Sequence, residues 1–472
     1  MVNFLAVVVG LMILVGLLLI RKPRPEKTLA AWRWMVCAWG LLLLVHLFSP
    51  IHYLAYQLSI STVLYCALWV GVFVFGDELG YRSSRSRSFS GSQTTAFAQT
   101  AYTYRVPRNL IVLSLVGLVI LGISVGVGSV FSKGLDVAAL RDAQLAGTNE
   151  GIVKTVATFL TSVGLVAFTV DLGYAVLTNS HLHRFSLMGF GAYLCIYILV
   201  GGRSGWILGG GSFLVIFVAS HRFLRQRYIH AKRLIVLLLL VLLVGSSYIA
   251  LVATTRTQGW SGSMDDKITY QSILTQSFLD EDFRESLRPF SPVGDLIIEV
   301  FYYLSPQLYG LGYSLQYYQG NWGWGVIQFP YVARRIEQFL DVYWIQDITT
   351  ADQALFEQLG LAPNFFRTAV HSTFVDFGPI LSLLFVLGCG FLAGRTRSSA
   401  IHNPTPVTIA LQALICSGAA WTIIYSPFIE PGWAFPLMWF LVLKVIMKHP
   451  QPVDQVSDPT LQATRLPLRI DS

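Results

Sequence analysis

The stretch RTAVHSTFVDFG, residues 367–378, runs without a break into PILSLLFVLGCGFLAG, residues 379–394. The second half is apolar enough to enter a bilayer. The first half puts an arginine, a histidine and an aspartate at its mouth. An unpaired charge in lipid is costly, so each of these groups needs a partner or a task. Arg367 and His371 are i,i+4 neighbours. On a helix they share one face, with Cβ atoms about 6 Å apart. Such a pair binds an anion with the guanidinium while the imidazole handles a proton. Pro379 lacks an N–H, pushes Gly378 out of the α region and suits the first position of a helix. The sequence therefore predicts a break at Phe377–Gly378. At such a break Asp376 either turns back toward His371 and fixes its tautomer or caps the new helix.

The rest of the chain sets that stretch in lipid. Hydrophobic residues make up 54% of it and charged residues 12%, about half the charge of a soluble domain. Long apolar runs recur throughout, which predicts an all-α, polytopic integral membrane helical bundle. About eleven spans are expected at roughly 20 residues each. They lie near 2–20, 30–48, 57–76, 109–131, 152–176, 186–201, 206–220, 234–253, 370–394, 406–426 and 433–447. The chain divides into membrane helices 1–8 (1–253), a large loop (254–369), membrane helices 9–11 (370–447) and a tail (448–472).

Lys and Arg fix the orientation. They collect in RKPRPEK, in 77–108, in HRFLRQRYIHAKR, in RTRSS and in the tail, which fall on one face if the helices alternate. That face is cytoplasmic. The opposite short loops, 49–56 and 427–432, hold no Lys or Arg. The N-terminus is expected outside and the C-terminus in the cytoplasm. No basic residue precedes the first apolar run, so it reads as a membrane helix rather than a secretory signal. The net charge of +8 is then a topology feature, and nucleic acid is not an expected partner. Cys37, Cys66, Cys195, Cys389 and Cys416 all sit in apolar segments. Neither a disulfide, a metal site nor a cofactor is expected from them.

The loop 254–369 is placed outside the cytoplasm. Up to residue 366 it carries thirteen acidic and six basic residues. Within it YVARRIEQFLDVYW (331–344) has Val332, Ile336, Phe339, Leu340 and Tyr343 at helical spacing. That is an amphipathic helix for the membrane surface or the top of the bundle. The aromatic run LYGLGYSLQYYQGNWGWG (308–325) fits either an interfacial belt or a platform for sugar rings.

Two further arginines join Arg367 and His371 on the outer face. Arg203 lies in the tight turn VGGRSGW, and Arg256 follows the eighth predicted span. Arginines converging beside a histidine suit a lipid-anchored diphosphate whose glycosyl bond is to be broken. Guanidinium forks neutralise the developing diphosphate charge, and a base deprotonates the attacking hydroxyl. No metal is required for that division of labour. The first outer loop, SPIHYLAY, holds no acidic residue. Asp171, Lys154 and Glu430 lie in or near spans, where a coupled ion or a structural partner would account for them.

The run RTAVHSTFVDFGPILSLLFVLGCG, with EVFYYLSPQLYGL and GGRSG, resembles the bacterial oligosaccharide repeat unit polymerases, which make O-antigen and exopolysaccharide. The resemblance implies a multi-pass enzyme of the bacterial inner membrane, a metal-independent glycosyltransferase. It would move a growing glycan from undecaprenyl diphosphate to an incoming lipid-linked repeat unit on the outer face. The resemblance maps onto Arg203 and onto Asp376, Phe377 and Gly378, and more loosely onto Arg256 and His371. With Arg367 from its own spacing, Arg203, Arg256 and Arg367 are the expected diphosphate ligands, and His371 and Asp376 the expected catalytic residues. Expected partners are undecaprenyl-diphosphate-linked oligosaccharides, membrane lipid, a chain-length regulator and a flippase. This sequence has Arg-Ser-Gly where Ser-Arg-Gly is frequent in the family. The rival readings are an O-antigen ligase, which shares the plan but uses another acceptor, and a glycan or ion-coupled transporter.

Overall fold

In a computed structural model of the chain, the described residues are 28–54, 58–85, 108–124, 152–178, 181–199, 204–223, 276–290, 293–340, 342–358 and 368–446, with isolated positions 10, 12, 236 and 272. They are mostly helical. In chain order the helices are α1 (Ala31–Leu47), α2 (Ile60–Arg85), α3 (Arg108–Ser124), α4 (Ile152–Thr178), α5 (Arg184–Leu199), α6 (Ser204–Phe223), α7 (Glu281–Leu287), α8 (Val293–Leu304), α9 (Gln307–Tyr317), α10 (Pro330–Leu340), α11 (Trp344–Gln358), α12 (Ala369–His402), α13 (Pro406–Trp421) and α14 (Pro431–Ile446). Two short strands, β1 (Ile51–Tyr53) and β2 (Ser277–Leu279), pair antiparallel with Ile51 opposite Leu279. Neither strand was expected. Together they tie the loop after α1 to the start of the large loop.

Three helical stretches are long and apolar enough to cross a membrane: Ile60–Ser84, Thr155–Leu177 and Ala369–His402. The predicted spans at 2–20 and 234–253 fall almost wholly outside the described residues. The others coincide with α1–α6 and α12–α14. α2 runs past its predicted end at residue 76. Charged residues begin there, but they do not stop the helix, because α12 supplies their counter-charge. Arg397 Nη1 lies 2.6 Å from Asp77 Oδ1, and its Nη2 lies 3.0 Å from Glu78 Oε2. The guanidinium also sits 4.2 Å over the Tyr81 ring.

Small residues let those two helices meet. A Cβ added to Gly76 or Gly80 would strike the backbone of Leu387 or Phe391, and one added to Gly390 or Gly394 would strike that of Phe73 or Asp77. Glycines four apart on both partners bring the backbones together, as in close-packed membrane helices. α4 is the most enclosed helix, buried on all sides from Thr161 to Gly173. It packs against α3, α5, α13 and α14. Asp171, considered above for ion coupling, accepts hydrogen bonds from His183 N (2.7 Å) and Ser186 Oγ (2.6 Å). It thus holds the first turn of α5, which is the structural alternative. The side chain of Lys154 lies outside the described residues.

The large-loop helices divide into two kinds. α9 is buried from Gln307 to Ser314. The first half of the aromatic run is therefore core, with Tyr309 and Tyr313 packed inside, and not a platform. α10 is the amphipathic helix expected from 331–344, ending at Leu340. Its apolar face is uncovered: Phe339 is 88% exposed, and Val332, Ile336 and Leu340 are also exposed.

Candidate functional site

α12 starts at Ala369, one residue before the predicted span 370–394, so the helical pairing of Arg367 with His371 is not part of it. Thr368 is its N-cap, and its Oγ1 accepts a hydrogen bond from His371 N at 3.2 Å. Ala369 N donates to Thr422 O at 2.9 Å, which fixes this turn to the end of α13. The predicted break is also present: Gly378 has φ 73° and ψ 178° inside the helix. Only glycine adopts that region without strain. A side chain there would also press on the Trp322 ring, since a Cβ would lie 3.2 Å from it. Tyr65 of α2 braces the break, donating to Pro379 O at 2.9 Å with its hydroxyl 2.5 Å from Ser382 Oγ.

His371 is 1% exposed and meets the large loop rather than Asp376. Its Nε2 is 2.9 Å from Ser314 Oγ on α9 and 3.2 Å from Asp352 Oδ1 on α11. The Phe356 ring stands edge-on to the imidazole at 5.9 Å. Three elements thus converge on one ring. A carboxylate accepts and cannot donate, so Asp352 favours the proton on Nε2. The lone pair then belongs to Nδ1, which is buried without a hydrogen-bond partner among the described residues. The arrangement differs from a hydrolase triad, in which the acid and the hydroxyl use opposite ring nitrogens. Here a carboxylate steadies one edge of the imidazole and leaves the other edge basic.

Asp376 is engaged elsewhere. Five residues further on, it lies about 140° round the helix from His371. Its Oδ1 accepts from Gly325 N (3.0 Å) and Ile327 N (3.3 Å), and its Oδ2 from Gln328 N (2.9 Å). Its carbonyl accepts from Trp324 N at 2.8 Å. Both offered readings of its side chain, a histidine partner or a cap on the next helix, give way to a third. Asp376 gathers the amides of the turn 323–328, in which Trp324 (φ 55°) and Gly325 (φ 100°) have left-handed backbones. A Cβ at Gly323 would collide with the carboxylate.

Arg203, Arg256 and Arg367 lie outside the described residues. Among the described residues no three His, Cys, Asp or Glu side chains are placed to share a metal ion. Glu430, at the end of the loop before α14, accepts from Ser204 Oγ at 2.5 Å. Burial pushes its carboxyl up, partly offset by that hydrogen bond.

The chain matches no family model, no curated relative and no solved structure.

The sequence reading missed Asp352 and Ser314. One feature of the sequence does mark Asp352. Ile348, Leu355 and Phe356 form the buried stripe of α11, and Asp352 stands in that stripe. A carboxylate on an apolar face needs a partner inside. Ser314, between Leu311 and Leu315, carries no such mark.

Proposed function

We propose that this protein is a multi-pass enzyme of the bacterial inner membrane, with about eleven spans, its N-terminus outside and its C-terminus cytoplasmic. It polymerises undecaprenyl-diphosphate-linked oligosaccharide repeat units on the outer face. The observation that carries the reading is the imidazole of His371, held by Asp352 and Ser314 under the large loop at the head of a long apolar helix. The uncovered apolar face of α10 supports a loop that rests on lipid.

In this reading Nδ1 of His371 takes the proton from the attacking sugar hydroxyl. Asp352 stabilises the imidazolium that forms. Arg203, Arg256 and Arg367 bind the diphosphate and neutralise the charge that builds on it as it leaves. Asp352 and Ser314 are positioning residues. Asp376 becomes one too, holding the turn 323–328 in place of the catalytic role first given to it.

The test is a strain that makes the polymer, carrying His371→Ala. Single repeat units on the cell surface support the polymerase. Long chains stranded on the lipid carrier point to a ligase, and polymer kept inside the cell to a transporter. Full-length surface polymer from this variant would end the catalytic reading.

A further inference from the structure

A groove of about 580 Å³, which His371 does not line, runs between α12 and α14 with α13 as its floor and α1 and α2 adding to its walls. Its walls are apolar along most of their length, with Leu392 on α12, Leu437 and Leu441 on α14, and Ile415 on the floor. The rim is apolar too: Leu392 is 63% exposed and Leu441 52%. An opening edged by leucines suits lipid chains rather than water.

The two ends differ in charge. Arg395 and Lys444, near the C-terminal ends of α12 and α14, line one mouth. The Arg395 guanidinium is placed over the Phe391 ring at 5.9 Å. Among the described lining residues the far end carries the hydroxyls of Thr373, Thr422 and Ser426 and no Lys or Arg. Along α14 the lining runs from Lys444 back to Trp433, eleven residues, or about 16 Å of helix. That is the depth of one leaflet of a roughly 30 Å hydrocarbon core. We infer that this groove holds one acyl chain of an anionic membrane phospholipid, with the phosphate between Arg395 and Lys444. A carrier diphosphate on the outer face would need its cations at the other end, where the described lining holds none. The inference rests on the proposed membrane bundle, and not on the glycosyl chemistry.

The experiment uses the full chain, extracted in neutral detergent and offered phosphatidylglycerol or phosphatidylcholine in mixed micelles. Native mass spectrometry reads the lipid retained. One phosphatidylglycerol is expected per chain, preferred about thirtyfold, as two basic groups near a membrane surface would give. R395A/K444A should bring the ratio near unity. Ile415→Trp, filling the floor, should lose both lipids while elution volume and melting temperature hold. If that variant does not fold, the double variant decides alone. Equal retention of the two lipids by the unaltered chain, or an unchanged preference in R395A/K444A, overturns the inference. So does an undecaprenyl phosphate that displaces phosphatidylglycerol and ignores both substitutions. Failure of the chain to partition into membranes would defeat the membrane reading itself. A chain that partitions but selects no lipid defeats only this inference.

Discussion

Asp352 Oδ1 lies 3.2 Å from His371 Nε2, joining a helix of the large loop to the first turn of α12. Both side chains are almost wholly buried. They stand nineteen positions apart in the chain, one on α11 and one on α12. The contact makes the large loop part of the site rather than a cover over it.

His371→Ala should lower polymerisation of purified lipid-linked repeat units by about 10²–10⁴, the usual worth of a positioned acid–base group. Asp352→Asn should lower kcat with little change in KM, since Asp352 touches the imidazole and not the sugar. A KM effect alone would assign Asp352 to substrate binding. Ser314→Ala should be the mildest of the three.

Gly378→Ala should destabilise the protein by about 1–3 kcal/mol, because only glycine tolerates its backbone geometry. Thermal unfolding in detergent would measure this. Trp322→Ala should recover the part that comes from the ring, and none of the backbone part. A variant as stable as the parent would show that the break is dispensable.

Asp376→Asn replaces one acceptor oxygen with a donor facing an amide. At least one of the N–H groups of Gly325, Ile327 and Gln328 loses its partner, at about 1–3 kcal/mol. Limited proteolysis should then cut near Trp324, which is already exposed. Unchanged proteolysis would mean that the turn holds without the carboxylate.

Arg397→Ala strips the guanidinium from a carboxylate buried at the α2–α12 crossing. Breaking such a pair costs about 3–5 kcal/mol, so the membrane yield of this variant should collapse. Replacing Arg397 by Met together with Asp77→Asn and Glu78→Gln should restore much of that yield. A triple variant no better than Arg397→Ala would argue that the cluster does more than balance charge.

Glu430 bears on pH. Its carboxyl is raised by burial, so the folded state holds that proton more tightly than the unfolded chain does. This contribution is fully present below the unfolded pKa and is lost as pH rises through the higher folded value. Glu430→Gln should therefore gain melting temperature relative to the parent at pH 8 more than at pH 5. A constant difference across that range would leave Glu430 with no titration linked to folding.

The sequence alone determined α1–α6, α10, α12–α14 and the break, but not α7–α9 or α11. Apolar runs of bilayer length and a Gly-Pro pair are local chemistry, readable from each segment without its neighbours. While the cap at Thr368 came from the structure, α12 and its interruption at Gly378 stand where residues 370–394 placed them. The amphipathic α10 did so for the same reason. Tertiary structure decided the partners. His371 takes Asp352 and Ser314, Asp376 takes the amides of the turn 323–328, and Arg397 takes Asp77 and Glu78. Buried polar groups must be satisfied by whatever the packing brings within about 3 Å. Spacing along the chain fixes which face of a helix a residue occupies, but not what that face meets.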